Sequence, residues 1–248
     1  MSSPGRHSPH ISLQHTEHRP WELPAGNWIM RQEWNDLTFL HWEIAASALR
    51  PHIPAELEID THGGAAWIGV VPFAMKGVTP RGVPPVRCFS DFPEINVRTY
   101  VKAGGKPGVW FFSLDVPSWL AVGLARTFFH LPYFHASFDC RPEGDQVRYA
   151  HRRGPLEFHA VSLPGEPAVA SADSFAFWAT ERYCLYCADR RGRVYRGEVH
   201  HPRWPLQRAE VEVRANTLLH GWPVGPMHPD VLFSRHVPVV VWPLGRVG

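Results

Sequence analysis

From Asn27-Trp28 onward the chain is written in short runs whose apolar and polar residues change places at every second position. That period belongs to strands whose two faces meet different surroundings. Such runs cover residues 37–43, 66–73, 95–101, 110–116, 134–140, 147–152, 182–187, 194–200, 206–218 and 237–242, and 25 prolines and 20 glycines punctuate the chain. Many short strands with turn residues between them predict a mostly β domain, an antiparallel barrel or sandwich with a few helices. The first 27 residues hold Ser, Pro and His without apolar periodicity, which predicts a flexible tail or an arm laid on the surface. The expected organisation is therefore a tail over 1–27 and one domain over 28–248.

Helical spacing is confined to short segments. Ala45 to Arg50 holds strong helix formers and stops before Pro51, Ser118 stands as an N-cap for WLAVGLARTFF, and a single turn fits Ser174 to Ala179. No P-loop, dinucleotide fingerprint or nucleophile elbow is present.

Within the strand pattern, FPEINVRTYV (92–101) stands apart because one face carries Glu94, Asn96, Arg98 and Tyr100 while the other carries Ile95, Val97, Thr99 and Val101. An antiparallel sheet commonly turns a polar face to water. The alternative is a polar face turned into a site. Glu181-Arg182-Tyr183 and HHPRWPLQ (200–207) pose the same choice, with charges set among large aromatics that favour burial. A buried charge must be paired, and a carboxylate facing a guanidinium inside a barrel is one solution.

Composition narrows the chemistry. Net charge is +2 and the basic runs are short, so a nucleic-acid footprint is not expected. No run approaches the ~18 apolar residues of a membrane span, and no signal-peptide core occurs, so a cytoplasmic protein without a membrane partner is expected. Cys184 and Cys187 have CxxC spacing inside a strand-like run, where positions three apart face opposite ways, so neither a redox pair nor a metal site is expected. Sixteen histidines include no HExxH, and His200-His201 alternate across a strand. No metal or other cofactor is expected. Of the 25 basic residues only Lys76, Lys102 and Lys106 are lysines, and Lys76 alone follows an apolar strand where an amine could be desolvated.

Nine strings in one order, LTFLHW (37–42), ALRPHIPAELEID (48–60), AWIGVVPFAM (66–75), FPEINVRTYV (92–101), GVWFFSLD (108–115), LPYFHA (131–136), ERYCLY (181–186), HHPRWPLQ (200–207) and VVVWPL (239–244), resemble the YqjF-like family of uncharacterised bacterial proteins over residues 28–246. That family in turn resembles the acetoacetate decarboxylase-like superfamily, with ALRPHIPAELEID and LDVPSWLAVG (114–123) as its clearest traces. The resemblance implies a closed, cone-shaped, mostly antiparallel barrel with a polar pocket inside, a homo-oligomer, and a pocket glutamate at the position of Glu94. It also exposes a departure. The paired lysines of the decarboxylases should fall within ARTFFHLPYF (125–134), where this chain has Phe128, Phe129 and His130.

Without those amines, Schiff-base decarboxylation is not expected. A pocket for a small keto or carboxylic acid is. In one reading a lyase-like or hydrolase-like enzyme uses Glu94 as general acid or base and Arg98 as a carboxylate clamp. Asn96, Tyr100, Arg126, Tyr133, His135, Glu181 and Arg182 are then the candidates to bind the small molecule. In another the barrel binds or senses a ligand without turnover, and in a third it is purely structural.

Overall fold

The computed structural model describes residues 10–225 and 228–247, with the side chains of Cys88 and Phe89 outside the description. Along the chain run β1 (Met30–Ile44), α1 (Ala46–Leu49), β2 (Glu58–Ile59), β3 (Ala66–Pro80), α2 (Arg87–Ser90), β4 (Phe92–Ala103), β5 (Lys106–Val116) and α3 (Trp119–Phe128). They are followed by β6 (Tyr133–His135), β7 (Ser137–Glu143), β8 (Gln146–Arg153), β9 (Leu156–Pro167), α4 (Phe175–Thr180), β10 (Cys184–Ala188), β11 (Val194–His200), β12 (Leu206–Asn216) and β13 (Asp230–Arg246).

Seven of these strands close a barrel in the order β1-β3-β4-β5-β10-β11-β13, sealed by pairing of β13 with β1. The seal is antiparallel and long, from Met30 opposite Val241 to His41 opposite Asp230. The barrel has one parallel seam, β5 with β10, set by Leu185 opposite Val109. A tight hairpin joins β4 to β5, and Gly104 and Gly105 at its tip take φ of 56° and 72°, a left-handed backbone that side chains other than glycine resist.

Below Ser234 the other edge of β13 pairs with β12 instead of β11, and the sheet continues outward through β9, β8 and β7. This outer sheet covers one side of the barrel. Its Phe138, Val147, Tyr149 and Phe158 share a core with Leu40, Ile68, Val70, Ile95 and Val97 on the barrel's outer face. The inner face is the one whose side chains meet across the barrel. Leu185 of β10 packs there with Tyr100, Val109 and Phe111 and with Val199, Val237 and Val239.

Two expectations are corrected. The run 134–140 is two strands, because the Ala136 N–H turns to the Val116 carbonyl (3.0 Å), so that β6 follows β5 in parallel while β7 leaves to pair with β8. The segment 156–167 is a strand, hydrogen-bonded on both edges to β8 and β12. Part of the N-terminal segment is fixed to the barrel wall. Arg19 is buried with its guanidinium on the Val199 carbonyl and on Glu198 (both 2.5 Å), and the His200 ring lies 2.8 Å from the Ser12 carbonyl. Residues 1–9 of that segment lie outside the described residues.

Candidate functional site

The face of β4 that carries Glu94, Asn96, Arg98 and Tyr100 is the barrel's inner face. Alternation alone puts the four on one side, and Ile95, Val97 and Val101 go to the outer core. One extra residue, Phe112, bulges from β5 where Val97 pairs with Ser113 and Arg98 with Phe111. The bulge swaps the faces of β5, so Phe111 and Leu114 both look inward while Phe112 joins the outer core.

At one end of the face Glu94 is 2% exposed. The Tyr133 hydroxyl, brought over it by β6, donates to Oε2 at 2.6 Å, and Asn96 Nδ2 approaches Oε1 at 3.3 Å. Burial pushes the Glu94 carboxyl up to about 7, against the opposing pull of these two hydrogen bonds. Burial, with the carboxylate beside it, likewise holds Tyr133 well above the usual phenol range, so it stays protonated as a donor. A carboxyl poised near neutrality in an enclosed polar niche is able to take or give a proton.

At the other end Tyr100 is fully buried and its hydroxyl meets two groups, His41 Nε2 at 2.5 Å and Arg98 Nη2 at 3.3 Å. His41 reaches it from β1, two strands away, because Gly69 of β3 lies between them. A Cβ at Gly69 would stand 2.9 Å from the imidazole. Burial, then the charges of Arg98 and Arg182, hold His41 well below its usual pKa, so the ring is neutral. Arg182 stacks 5.0 Å above the Tyr100 ring and 4.5 Å above Trp178 of α4, and its Nη1 bonds Asp60 Oδ2 at 2.6 Å.

Arg98 has no such partner. Among the described residues no carboxylate lies within 4.0 Å of it, and its guanidinium rests over the rings of Phe39 (5.3 Å) and Tyr100 (5.7 Å). Its Nε is buried without an acceptor, as are Arg182 Nη2 and Trp178 Nε1, while Asn96 Oδ1 is buried without a donor and His41 Nδ1 without a partner. With Asp60 balancing Arg182, this end of the barrel carries one unopposed positive charge. Aromatic rings enclose it: Phe175 against His41 (5.3 Å), Trp178 against Tyr100 (4.5 Å), and Trp204 against Phe39 (5.1 Å) and Trp34 (5.8 Å).

The other residues singled out in the sequence divide. Arg182 joins the inner cluster, but its carboxylate is Asp60, not Glu181. Glu181, 9% exposed, instead takes the Tyr183 hydroxyl and the Trp204 N–H (3.3 Å), tying the segments on either side of β10 and β11 together. Arg126 is exposed and fastens β6 by donating to the Tyr133 carbonyl at 2.6 Å. His135 stacks on the exposed Trp119 of α3 at 4.1 Å, away from the four inner residues of β4.

No lysine amine enters the inner face. Lys76 is exposed, Lys102 pairs with Glu58 and Lys106 with Glu198, each at 2.9 Å. Cys184 and Cys187 point to opposite faces of β10, and burial pushes both thiols up to about 12. Among the described residues no three His, Cys, Asp or Glu side chains are placed to hold a metal ion. No helix among them is long and apolar enough to cross a membrane. Two surface depressions, of about 350 and 220 Å³, lie at the strand tips around Arg191 to Arg193 and on the outer sheet around Tyr149 and His159, and neither is lined by Glu94 or Arg98.

Reading the sequence missed His41 and Asp60. For His41 a signal existed, since Leu37, Phe39 and His41 continue one alternating face of β1.

Comparison with known proteins places this site in a context. The fold matches that of the enduracididine biosynthesis enzyme MppR complexed with the condensation product of pyruvate and imidazole 4-carboxaldehyde, at a TM-score of 0.67 and 12% identity over 89% of each chain. It also matches acetoacetate decarboxylase from Legionella pneumophila, at a TM-score of 0.63 and 13% identity over 96% of this chain and 97% of that one. The architecture is thus the acetoacetate decarboxylase-like barrel. Residues 31–238 match the model of DUF2071, described as an uncharacterized conserved protein, and the chain belongs to that family. The uncharacterized protein YqjF of Bacillus subtilis is 43% identical over 230 residues, spanning 90% of this chain and 95% of its own.

Proposed function

We propose that the barrel interior binds a small organic acid, keto or carboxylic, whose carboxylate is taken by Arg98, and that Glu94 serves as general acid or base in a lyase-like or hydrolase-like reaction on it. The observation that carries this reading is the pairing, on one inner face, of a carboxyl lifted to about 7 with a guanidinium that has no counter-ion among the described residues. A bidentate carboxylate fits the planar guanidinium, and the buried N–H groups of Arg98 and Arg182 supply donors in excess of the acceptors present. Positions 94 and 98 on one strand stand ~13 Å apart at their backbones, which is the span that an acid held by both heads would bridge. The lysine positions support chemistry by proton transfer without a lysine imine. That one structural neighbour holds a condensation product of pyruvate makes keto acids the first ligands to try.

The test is a thermal-shift screen of short keto and hydroxy acids, followed by mass-spectrometric analysis of each hit after incubation. The expected result is a shift that R98Q weakens by about ten- to a hundredfold in ligand concentration, and a product that E94Q abolishes while it keeps the shift. Binding by the parent with no product converts the reading to a sensor or carrier. No shift with any acid, or a shift indifferent to R98Q, defeats it.

A further inference from the structure

Helix α3 is built with its large side chains outward. Trp119, Leu120, Leu124 and Phe128 are 72, 51, 49 and 65% exposed, whereas the residues turned to the barrel are Val122 and the small Ala121 and Ala125. On a helix, 120, 124 and 128 form one row and 119, 123 and 127 the adjoining row, so the exposed residues make one continuous face. At ~200 Å² for each large side chain, that face presents roughly 450–500 Å² of apolar surface, the size of patch that on a monomer usually has a function.

The face also lacks charge. The helix holds no acidic residue, and its single basic one, Arg126, is turned to the Tyr133 carbonyl. A helix that lies on a membrane surface carries rows of Lys and Arg on its polar side, and α3 has none. An uncharged apolar face is matched by one like itself. Gly123 sits in the middle of it, exposed, and an added Cβ there would touch nothing within 4 Å. Glycine in mid-helix costs about 1 kcal/mol relative to alanine, and nothing among the described residues requires it. A second helix crossing at Gly123 does, because the missing side chain lets the two backbones approach.

From these observations we infer that α3 is the dimer contact between two copies of this chain, the helices crossing antiparallel about a two-fold axis at Gly123. Trp119 and Leu120 of one copy then cover Thr127 and Phe128 of the other, and the reverse, as an isologous contact demands. A standard interface buries ~800 Å² per partner, so α3 supplies more than half of each side and its surroundings the rest.

Sedimentation velocity on the full chain between 1 and 100 µM tests this. A concentration-dependent dimer is expected, and L124E, at an exposed position, raises its dissociation constant at least about tenfold with an unchanged far-UV circular dichroism spectrum. F128S supplies the same reading should L124E alter that spectrum. A parent that is monomeric throughout, a dimer that withstands both substitutions, or co-sedimentation of the parent with phosphatidylcholine or phosphatidylglycerol vesicles that L124E abolishes would each overturn the assignment.

Discussion

Tyr133 and Glu94, 39 positions apart in the chain, meet at 2.6 Å on the inner wall of the barrel, at a carboxyl 2% exposed to solvent. Burial of that carboxyl, opposed by this contact, sets the behaviour of the site with pH. Below the ordinary carboxyl value of 4.5 the group is protonated in both folded and unfolded chains. Between 4.5 and about 7 the unfolded chain ionises while the folded one keeps its proton, so the group's contribution to stability falls as pH rises and is fully lost above 7.

E94Q should therefore gain stability relative to the parent across that window, by about 3 kcal/mol between pH 4.5 and 8. His200 and His201, held near 4 by burial, tilt the same window the other way, so the quantity to follow is the difference between the two proteins in urea denaturation at each pH. A difference that does not change with pH would mean that Glu94 titrates normally.

Y133F removes the donor that favours the Glu94 carboxylate, and should move the window further up the pH scale. Loss of the hydrogen bond should also cost about 1.5–3 kcal/mol at pH 8, where the carboxylate is the form being bonded, and less at pH 5. Paired denaturation curves at the two pH values read both effects.

Gly69→Ala would place a Cβ 2.9 Å from the His41 ring, which Phe39, Phe175 and Tyr100 hold from other sides. The expected outcome is about 1–3 kcal/mol of destabilisation and a lost contact between His41 and Tyr100, visible as a changed imidazole shift in NMR. Alanine at Gly123, with open space around it within one copy, should instead leave the stability of the monomer level or raise it slightly, read at a concentration below dimer formation.

Arg19→Ala releases the N-terminal arm. Glu198 keeps Lys106 at 2.9 Å and Arg196 at 3.1 Å from the barrel itself, so the cost should be near 2 kcal/mol, below that of stripping a buried ion pair bare. Early cleavage N-terminal to Met30 in limited proteolysis, at a concentration where the parent stays intact, is the second sign.

Thiol labelling of the native protein should leave Cys184 and Cys187 unmodified at pH 8, since burial raises both to about 12 and keeps the thiolate scarce. Peptide mapping after alkylation decides it.

What the sequence disclosed follows from how local each cause is. Ser118 is readable as a cap because its hydroxyl accepts from an N–H three residues on, at 3.2 Å. The polar face of β4 is readable because alternation fixes it within eight residues, although only its closure into a barrel decides that the face looks inward. Strand β9 escaped notice because its outward face mixes Leu163 and Val161 with Glu157 and His159, which blurs the period of two. The pairings that make the candidate site are distant ones. His41 and Tyr100 are separated by 59 positions, and Asp60 and Arg182 by 122. A residue type announces that it needs a partner, but a hydrogen bond over that span depends on the strand order, which no local pattern encodes.

The seal between β1 and β13 joins residues some 200 positions apart, Met30 with Val241. Every strand between them can be made and paired with its neighbour before the ring shuts. During synthesis β1 therefore waits with an open edge until β13 leaves the ribosome. Contact of such long sequence separation slows folding, and an apolar strand edge left open that long is the point at which a nascent chain of this protein is most exposed to joining another.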